Sequence, residues 1–217
     1  MAEFDMEEVP SYEDILPEKI KKRSPGPNTT QKATVPYQGL GFDFAFTGQK
    51  AKNRGRAVHY TGLNGETCYI LGGDHFTGRL HGEARVGKGA PIEWLRAFLT
   101  RYSPGPDIKD KYVYLDQGGE LYNHPAIRRL FTSFGYDIFP TGADSSHQNG
   151  FVERSHGHIG NALRAKLTGS NLDARFWPYA FKDYIRKHNA IRHAPNQTIS
   201  AYEAATHKRE NFRDLRT

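Results

Sequence analysis

Two different hydrophobic periods follow one another along this chain of 217 residues, and their order constrains the fold more than any other feature. Between residues 40 and 86, apolar residues alternate with small or polar ones in LGFDFAF (40–46) and again in RLHGEARV (79–86), and the short apolar segment TCYILGG (67–73) lies between them. A period of two predicts β-strands, and three strands in succession predict an antiparallel meander. We expect the first strand to be half-buried, with its large apolar residues on one face: Leu40, Phe42, Phe44 and Phe46.

After residue 90 the period changes to that of an α-helix and then alternates with short apolar segments. Helices are predicted from Pro91 to about residue 102, over 123–135 with Asn123 as cap and Gly135 as terminator, from near Asn149 or Phe151, and finally from Asp173. Strands are predicted at 111–115 and 136–139. This order predicts an α/β fold in which helices flank a mixed five-stranded sheet.

The first thirty-six residues differ in composition from the rest. They are rich in acids, Pro, Ser, Thr and Asn and show no sustained apolar period, so we expect residues 1–36 to form a disordered or loosely docked leader before a domain at 37–217. No apolar run is long enough for a membrane span, and the acidic start MAEFDMEEV lacks the features of a secretory signal. We therefore expect an intracellular protein that has no membrane partner.

Charge is unevenly distributed along the chain. The first sixteen residues hold six acids and no Lys or Arg, whereas residues 154–217 hold twelve Lys or Arg against five acids. Such a basic segment is typical of polyanion binding, because Lys and Arg displace counterions from phosphates. A solvated helical face is the alternative interpretation, and the charges alone do not decide between the two.

Three carboxylates fall where this layout can bring them together. Asp43 lies in the first strand, Asp116 ends the fourth, and Glu153 lies in the first turn of the long helix. Clustered carboxylates on rigid elements are what a Mg²⁺ site for phosphodiester chemistry requires. Each acid also has a simpler explanation: a solvent-facing strand position for Asp43, a turn for Asp116, and the helix macrodipole for Glu153.

The sequence does not predict a zinc site. Cys68 is the single cysteine and lies in an apolar segment, so we expect it to pack in the core and to form neither a disulfide nor a cysteine-based zinc site. Five histidines near the C-terminus show no convincing zinc geometry: His147, His156, His158, His188 and His193.

Three segments resemble the catalytic cores of DDE integrases, and their order looks most like that of copia-type retrotransposons. They are YLDQGGELYN (114–123), SSHQNGFVERSHGHIGNALRAKL (145–167) and RFWPYAFKDYIRKHNAIRHAPNQTISAYE (175–203). Thirty-six residues lie between Asp116 and Glu153, close to the spacing that gives the family's D,D-35-E pattern its name. Asp74 in GGDHF is a rival acid, at a position that is usually structural in the family.

The resemblance implies a ribonuclease-H-like fold and a polynucleotidyl transferase. Asp43, Asp116 and Glu153 would bind two Mg²⁺ or Mn²⁺ ions, and a homo-oligomer would process the DNA ends of a retrotransposon and join them to target DNA, in the nucleus during integration. Five further residues are candidates for DNA contact: Gln148, Asn149, Arg154, Arg164 and Lys166. Gln148 and Asn149 could instead be turn residues, and some of the basic residues could be merely solvated.

The sequence also departs from the family's pattern. The zinc-binding module expected before such cores is missing from the sequence, as is the usual DNA-binding region after them, and Ile199 stands where the family has Pro. Two other functions therefore stay open: a decayed or domesticated copy that binds nucleic acid without cutting it, and a ribonuclease-H-like nuclease that hydrolyses RNA in hybrids.

Overall fold

The computed structural model describes residues 32–49, 58–141, 150–191 and 198–209. The strands are β1 (Gly39–Phe46), β2 (Gly48–Gln49), β3 (Val58–His59), β4 (Cys68–Asp74), β5 (Leu80–Arg85), β6 (Lys111–Asp116) and β7 (Tyr136–Thr141). The α-helices are α1 (Ile92–Tyr102), α2 (Pro125–Ser133), α3 (Gly150–Gly169), α4 (Trp177–Ala190) and α5 (Ala201–Thr206). A short 3₁₀ turn, Ala174–Phe176, precedes α4. The leader predicted at residues 1–36 lies almost wholly outside the described residues and stays a prediction.

Five strands form one mixed sheet in the order β5-β4-β1-β6-β7, which confirms the predicted architecture. β1 pairs antiparallel with β4, and β4 with β5, so the first three long strands form the expected meander. On its other edge β1 pairs in parallel with β6, which pairs in parallel with β7. β2 and β3 form a separate two-stranded sheet.

Helices cover both faces of the sheet, so β1 is more enclosed than the predicted half-buried strand. One hydrophobic cluster includes Phe42, Phe131 and the apolar faces of α1 and α2. The other lies beneath α3 and α4 and includes Tyr69 and Phe181. Phe46 departs from the expected pattern, because it shares the face of Phe42 in sequence yet is 49% exposed at the end of the strand.

Two glycines set how closely the second layer of helices approaches the sheet. A Cβ at Gly73 would lie 2.5 Å from the ring of Phe151 on α3, and a Cβ at Gly82 would lie 2.6 Å from the ring of Phe181 on α4. The missing side chains leave space for these rings on β4 and β5. On the edge strand β5, Asn189 of α4 accepts a hydrogen bond from the backbone N–H of Leu80 and donates one to its carbonyl, each 2.8 Å long. Helix α4 thereby satisfies backbone groups of the edge strand that no neighbouring strand can reach.

One predicted helix boundary was wrong, and one helix was not predicted. Asn123 does not cap α2: the helix begins with Pro125 after His124, and the side chain of Asn123 donates to the carbonyl of Gln117 instead. The helix after Asp173 is not the final one, because α5 follows it. Ser200 caps α5 by accepting a hydrogen bond from the backbone N–H of Glu203. Gly135 terminates α2 as predicted, with a positive φ of 79°.

The start of β1 is tied to the last described helix through one arginine. Arg79 donates to the hydroxyl of Tyr37 at 2.9 Å, and its guanidinium lies over the rings of Tyr102 on α1 and Tyr202 on α5. This contact fixes α5 against the end of the sheet at which β1 begins. None of the helices in the described ranges is both long and apolar enough to cross a lipid bilayer.

Candidate active site

Asp43 and Asp116 lie on neighbouring parallel strands at matching positions. The last registered pair between β1 and β6 is Phe42 with Leu115, and each aspartate is the next residue on its strand. Both side chains are half-buried. Ligand and active sites of sheets with parallel strands collect at the carboxyl ends of those strands, which is the end towards which both residues lie.

The carboxylate of Asp43 is held on both sides. Its Oδ1 accepts a hydrogen bond from the backbone N–H of Phe44 at 2.7 Å, and its Oδ2 lies 3.4 Å from Nε2 of His156 on α3. The other ring nitrogen of His156, Nδ1, lies 3.0 Å from the hydroxyl of Tyr69 on β4. Burial, reinforced by the negative charge of Asp43, raises the pKa of Tyr69 well above its ordinary value, so the phenol keeps its proton.

Asp116 is followed by a turn that brings a fourth carboxylate beside it. A Cβ at Gly118 would lie 2.5 Å from Oε2 of Glu120 and 3.2 Å from Oδ2 of Asp116, so both carboxylates reach the same side of Gly118. The sequence analysis did not include Glu120 among the site residues. Its signal in the sequence was Gly118, whose missing side chain leaves space for the carboxylate of Glu120 beside that of Asp116.

Glu153 lies in the first turn of α3 and is exposed. It precedes His156 by three residues, so the two share one side of the helix, and His156 brings that side towards β1. No group of three or more His, Cys, Asp or Glu side chains that could hold a metal ion is formed among the described residues. The structure thus places Asp43 and Asp116 side by side and leaves Glu153 outside a three-carboxylate cluster.

The donor set agrees in part with a divalent metal. Two adjacent, half-buried carboxylates are the oxygen ligands that Mg²⁺ and Mn²⁺ favour, and Glu120 adds a third acid nearby. Oδ1 of Asp43 already accepts a hydrogen bond from the backbone N–H of Phe44, which leaves Oδ2 as the atom that faces His156. The pair of aspartates fits a metal, whereas the complete predicted triad is not assembled.

Asp74, the rival acid, has a structural role. It is completely buried and accepts four hydrogen bonds, from the backbone N–H groups of Tyr37, Phe76 and Thr77 and from the hydroxyl of Thr77. Burial raises the pKa of this carboxyl, against the effect of these donors. With all its donors drawn from the protein and no exposed oxygen, Asp74 cannot reach a substrate.

The residues predicted to contact DNA divide into three groups. Gln148 and Asn149 lie outside the described residues. Arg154 and Arg164 are exposed on α3, as free contact with a polyanion requires. Lys166 is only half-exposed and forms an ion pair with Asp183 of α4, which also lies 3.2 Å from Lys187. The charge of Lys166 is therefore already partly neutralised.

A cavity of about 680 Å³ opens between the end of β1, α3 and the start of α4. Tyr69 and His156 form part of its wall, so the pair that faces Asp43 borders this space. Arg164 lies on the same wall, one of the predicted DNA contacts. The indole N–H of Trp177, also in the lining, is buried and has no hydrogen-bond partner among the described residues.

Comparison with known proteins gives a likeness of structure without a likeness of sequence. No protein-family model matches the chain, and no curated protein matches it. Its structure is similar to a chain of the simian T-cell lymphotropic virus intasome, solved in complex with PP2A regulatory subunit B56 gamma, at 13% identity and a TM-score of 0.61. The match covers 82% of this chain and 57% of that one, so the chain spans little more than half of that relative.

Two isolated integrase catalytic cores are also similar. The HTLV-2 integrase catalytic core domain, solved with magnesium in a trimeric form, matches at 18% identity and a TM-score of 0.54, covering 80% of this chain and 99% of that one. The BIV integrase catalytic core matches at 14% identity and a TM-score of 0.54, covering 79% and 95%. These likenesses establish that the chain has the ribonuclease-H-like fold of integrase catalytic cores.

Proposed function

We propose that this chain is a polynucleotidyl transferase that cuts and joins DNA, the integrase catalytic core of a copia-type retrotransposon. The observation that carries the proposal is the placement of Asp43 and Asp116 side by side on β1 and β6 of an integrase-core fold. The copia assignment rests on the sequence segments around Asp116 and Glu153 and on the segment 175–203. The proposed location is inside the cell, in the nucleus during integration.

Asp43, Asp116 and Glu153 are the residues that would hold Mg²⁺ or Mn²⁺, in a two-ion site. When bound, such ions activate a water or a DNA 3′-hydroxyl and neutralise charge on the phosphate. The protein's part is to fix the carboxylates: β1 and β6 hold two of them in register, and α3 carries the third. For Glu153 to join the aspartates, the first turn of α3 has to bring its exposed side chain towards the strand ends.

DNA is the proposed substrate, both as the element's ends and as target. Arg154 and Arg164 are exposed on the helix that carries Glu153, which supports their role as phosphate contacts. A homo-oligomer is proposed by analogy with the HTLV-2 core, which was solved in a trimeric form, and with the simian intasome. Joining two DNA ends to one target requires more than one active site, which agrees with an oligomer.

The experiment that tests this function is the cleavage and joining of a labelled DNA duplex, first with Mg²⁺ and then with Mn²⁺. Wild type should be active, and Glu153→Gln should lose activity by about 100-fold or more, because the variant removes one carboxylate ligand. Glu93→Gln is the matched control, since Glu93 is also exposed in the first turn of a helix but lies on α1. Equal activity in wild type and Glu153→Gln would remove Glu153 from the site.

The second candidate is a decayed copy that binds nucleic acid without cutting it. It is favoured by one observation, the lack of a three-carboxylate group among the described residues. DNA binding without activity in either metal would support it. A labelled RNA–DNA hybrid in the same assay separates both candidates from a ribonuclease-H-like nuclease, which would cut the hybrid in preference to the duplex.

A further inference from the structure

We infer that Tyr69 and His156 form a positioning pair for Asp43, which orients its carboxylate and ties α3 to the strand that carries it. The inference deepens the proposed function and rests on it, since it concerns the same site. Neither residue was given a role by the sequence analysis. Their contacts cross three elements, from β4 through α3 to β1.

Tyr69 is a rigid anchor for this arrangement. Its side chain is buried at 3% exposure, and its ring packs against Phe181 with centroids 4.4 Å apart and against Trp177 with centroids 6.3 Å apart. The Tyr69 and His156 rings also touch, with centroids 5.4 Å apart. Because the ring is fixed, its hydroxyl can form a hydrogen bond only with a group at one position, and that group is Nδ1 of His156.

The hydrogen bond from Tyr69 selects one form of the histidine. When the phenol donates to Nδ1, the neutral ring carries its proton on Nε2, and this N–H faces Oδ2 of Asp43 at 3.4 Å. The opposite tautomer would set a nitrogen lone pair against a carboxylate oxygen, which is repulsive. Nε2 is buried and forms no hydrogen bond with any of the described residues, so Oδ2 of Asp43, 3.4 Å away, is the acceptor that it faces.

Both oxygens of the Asp43 carboxylate are therefore held in a fixed orientation. The backbone N–H of Phe44 holds Oδ1 at 2.7 Å, and the ring of His156 faces Oδ2. Glu153 lies one turn before His156 on the same helix, so the contact that orients Asp43 also sets the distance of Glu153 from β1. Groups that orient a metal-binding carboxylate commonly change metal affinity or activity by about 10- to 100-fold when they are removed.

Five variants of the whole chain test the pair, three at the pair itself and two as controls. Tyr69→Phe removes the hydroxyl and keeps the ring, His156→Phe removes both nitrogens, and His156→Gln restores a donor in the same position. Tyr136→Phe is the matched control, because it removes a buried hydroxyl that donates to the carbonyl of Tyr37, at the start of β7 and opposite Lys111 rather than Asp116. His158→Phe adds a second control, an exposed histidine on the same helix.

Two measurements are made on each variant, and one of them needs no activity. Long-range ¹H–¹⁵N NMR at about pH 8 reports, without metal, which ring nitrogen of His156 carries a proton. Calorimetric titration with Mn²⁺ reports the affinity of the site. We expect the Nε2–H form in wild type and a loss of that preference in Tyr69→Phe. Mn²⁺ binding should weaken about 10- to 100-fold in Tyr69→Phe and His156→Phe, recover in part in His156→Gln, and stay unchanged in both controls.

Two results would overturn the inference: a mixed tautomer in wild type, or Mn²⁺ affinity that is equal in wild type, Tyr69→Phe and His156→Phe. Failure of the proposed function looks different, because wild type would then neither cut DNA nor bind Mn²⁺ while keeping the Nε2–H tautomer. Should Tyr69→Phe fail to fold, the contrast between His156→Phe and His156→Gln decides in its place. Equal binding by those two variants would then contradict the positioning role.

Discussion

The paired strands β1 and β4 carry two aspartates that lie in opposite environments. At the start of β1, opposite Leu40, Asp74 is completely buried with four donors, and Arg79 packs next to it between two tyrosines; we call this the closed end. Three residues further along β1, Asp43 is half-buried beside Asp116, with Glu120 nearby; we call this the open end. We expect stability to be concentrated where several donors surround one buried acid, and reactivity where several half-buried acids lie close together.

The largest effect on stability is expected at the closed end. Asp74→Asn places an amide N–H₂ where the backbone N–H groups of Tyr37, Phe76 and Thr77 need an acceptor, so at least one buried donor loses its partner. We expect the free energy of unfolding to fall by about 4 kcal/mol. Urea unfolding of the variant measures this loss. A loss under about 1 kcal/mol would show that the closed end is not the stabilising one.

A smaller effect of the same sign is expected on acidification. Half-buried His75 and His81 lie beside Asp74 and Tyr37, and burial lowers the pKa of His75 to about 4 and that of His81 to about 3. Both values lie below the unfolded value of about 6.5, so the unfolded chain binds more protons and stability falls as the pH drops through 6.5. Between pH 7 and 5 each histidine should cost about 2 kcal/mol.

The raised pKa of Asp74 acts in the opposite direction, because its protonation favours the folded state as the pH falls. The measurement is therefore a difference between two proteins, wild type and His75→Phe, unfolded in urea at both pH values. The variant should lose about half of the histidine contribution, roughly 2 kcal/mol. An identical pH dependence in the two proteins would contradict the assignment to His75.

On helix α3, the expected effects are on DNA binding rather than on stability. Exposed Arg164 should contribute to the salt dependence of DNA binding, whereas Lys166, paired with Asp183, should contribute less. Arg164→Gln should reduce the slope of log K against log salt by about 1, and Lys166→Gln by less. Fluorescence titrations of a labelled duplex at several salt concentrations measure both slopes. Equal slopes for the two variants would show that the ion pair with Asp183 does not reduce the contribution of Lys166 to DNA binding.

The smallest effect on stability is expected at Asp116 itself. Asp116→Asn should leave the free energy of unfolding unchanged or raise it by up to about 1 kcal/mol, because unliganded neighbouring carboxylates repel one another. Strand cleavage should be lost in the same variant. Thermal unfolding in the absence of metal measures the first effect, and a clear loss of stability would place Asp116 with Asp74 among the structural acids.

The sequence predicted the sheet well because strand and helix periods are local properties. It did not predict that both faces of β1 are covered. The small residues Gly41 and Ala45 indicate a solvent-exposed face in the sequence. In the folded chain this face is covered, because Gly73 and Phe151 of other elements lie next to it. Helix α5 was missed because six residues carry little periodicity. Its signal was present as Ser200 followed by Glu203 three residues later, a spacing typical of a capped helix start.

At the site, the alignment of Asp43 with Asp116 follows from the predicted strands, and the resemblance named both residues. The role of His156 could not be predicted, because its partners Tyr69 and Asp43 are 87 and 113 positions away along the chain and meet it only after the sheet forms. Glu120 was within reach of sequence reasoning, since it follows Asp116 by four residues across a Gly-Gly turn. Glu120 is close to Asp116 in sequence and could have been predicted, whereas the role of His156 depends on contacts between distant elements and could not.

The parallel pairing of β1 with β6 also has a consequence for the order of assembly on the ribosome. The strands β1, β4 and β5 have all been synthesised by residue 85, whereas β6 ends at Asp116. At usual rates of translation this gap lasts on the order of seconds, which is long compared with the folding of a local hairpin. During that interval the central strand is an edge strand. A stalled nascent chain that ends before β6 should therefore display the meander alone, with the partner of Asp43 not yet made.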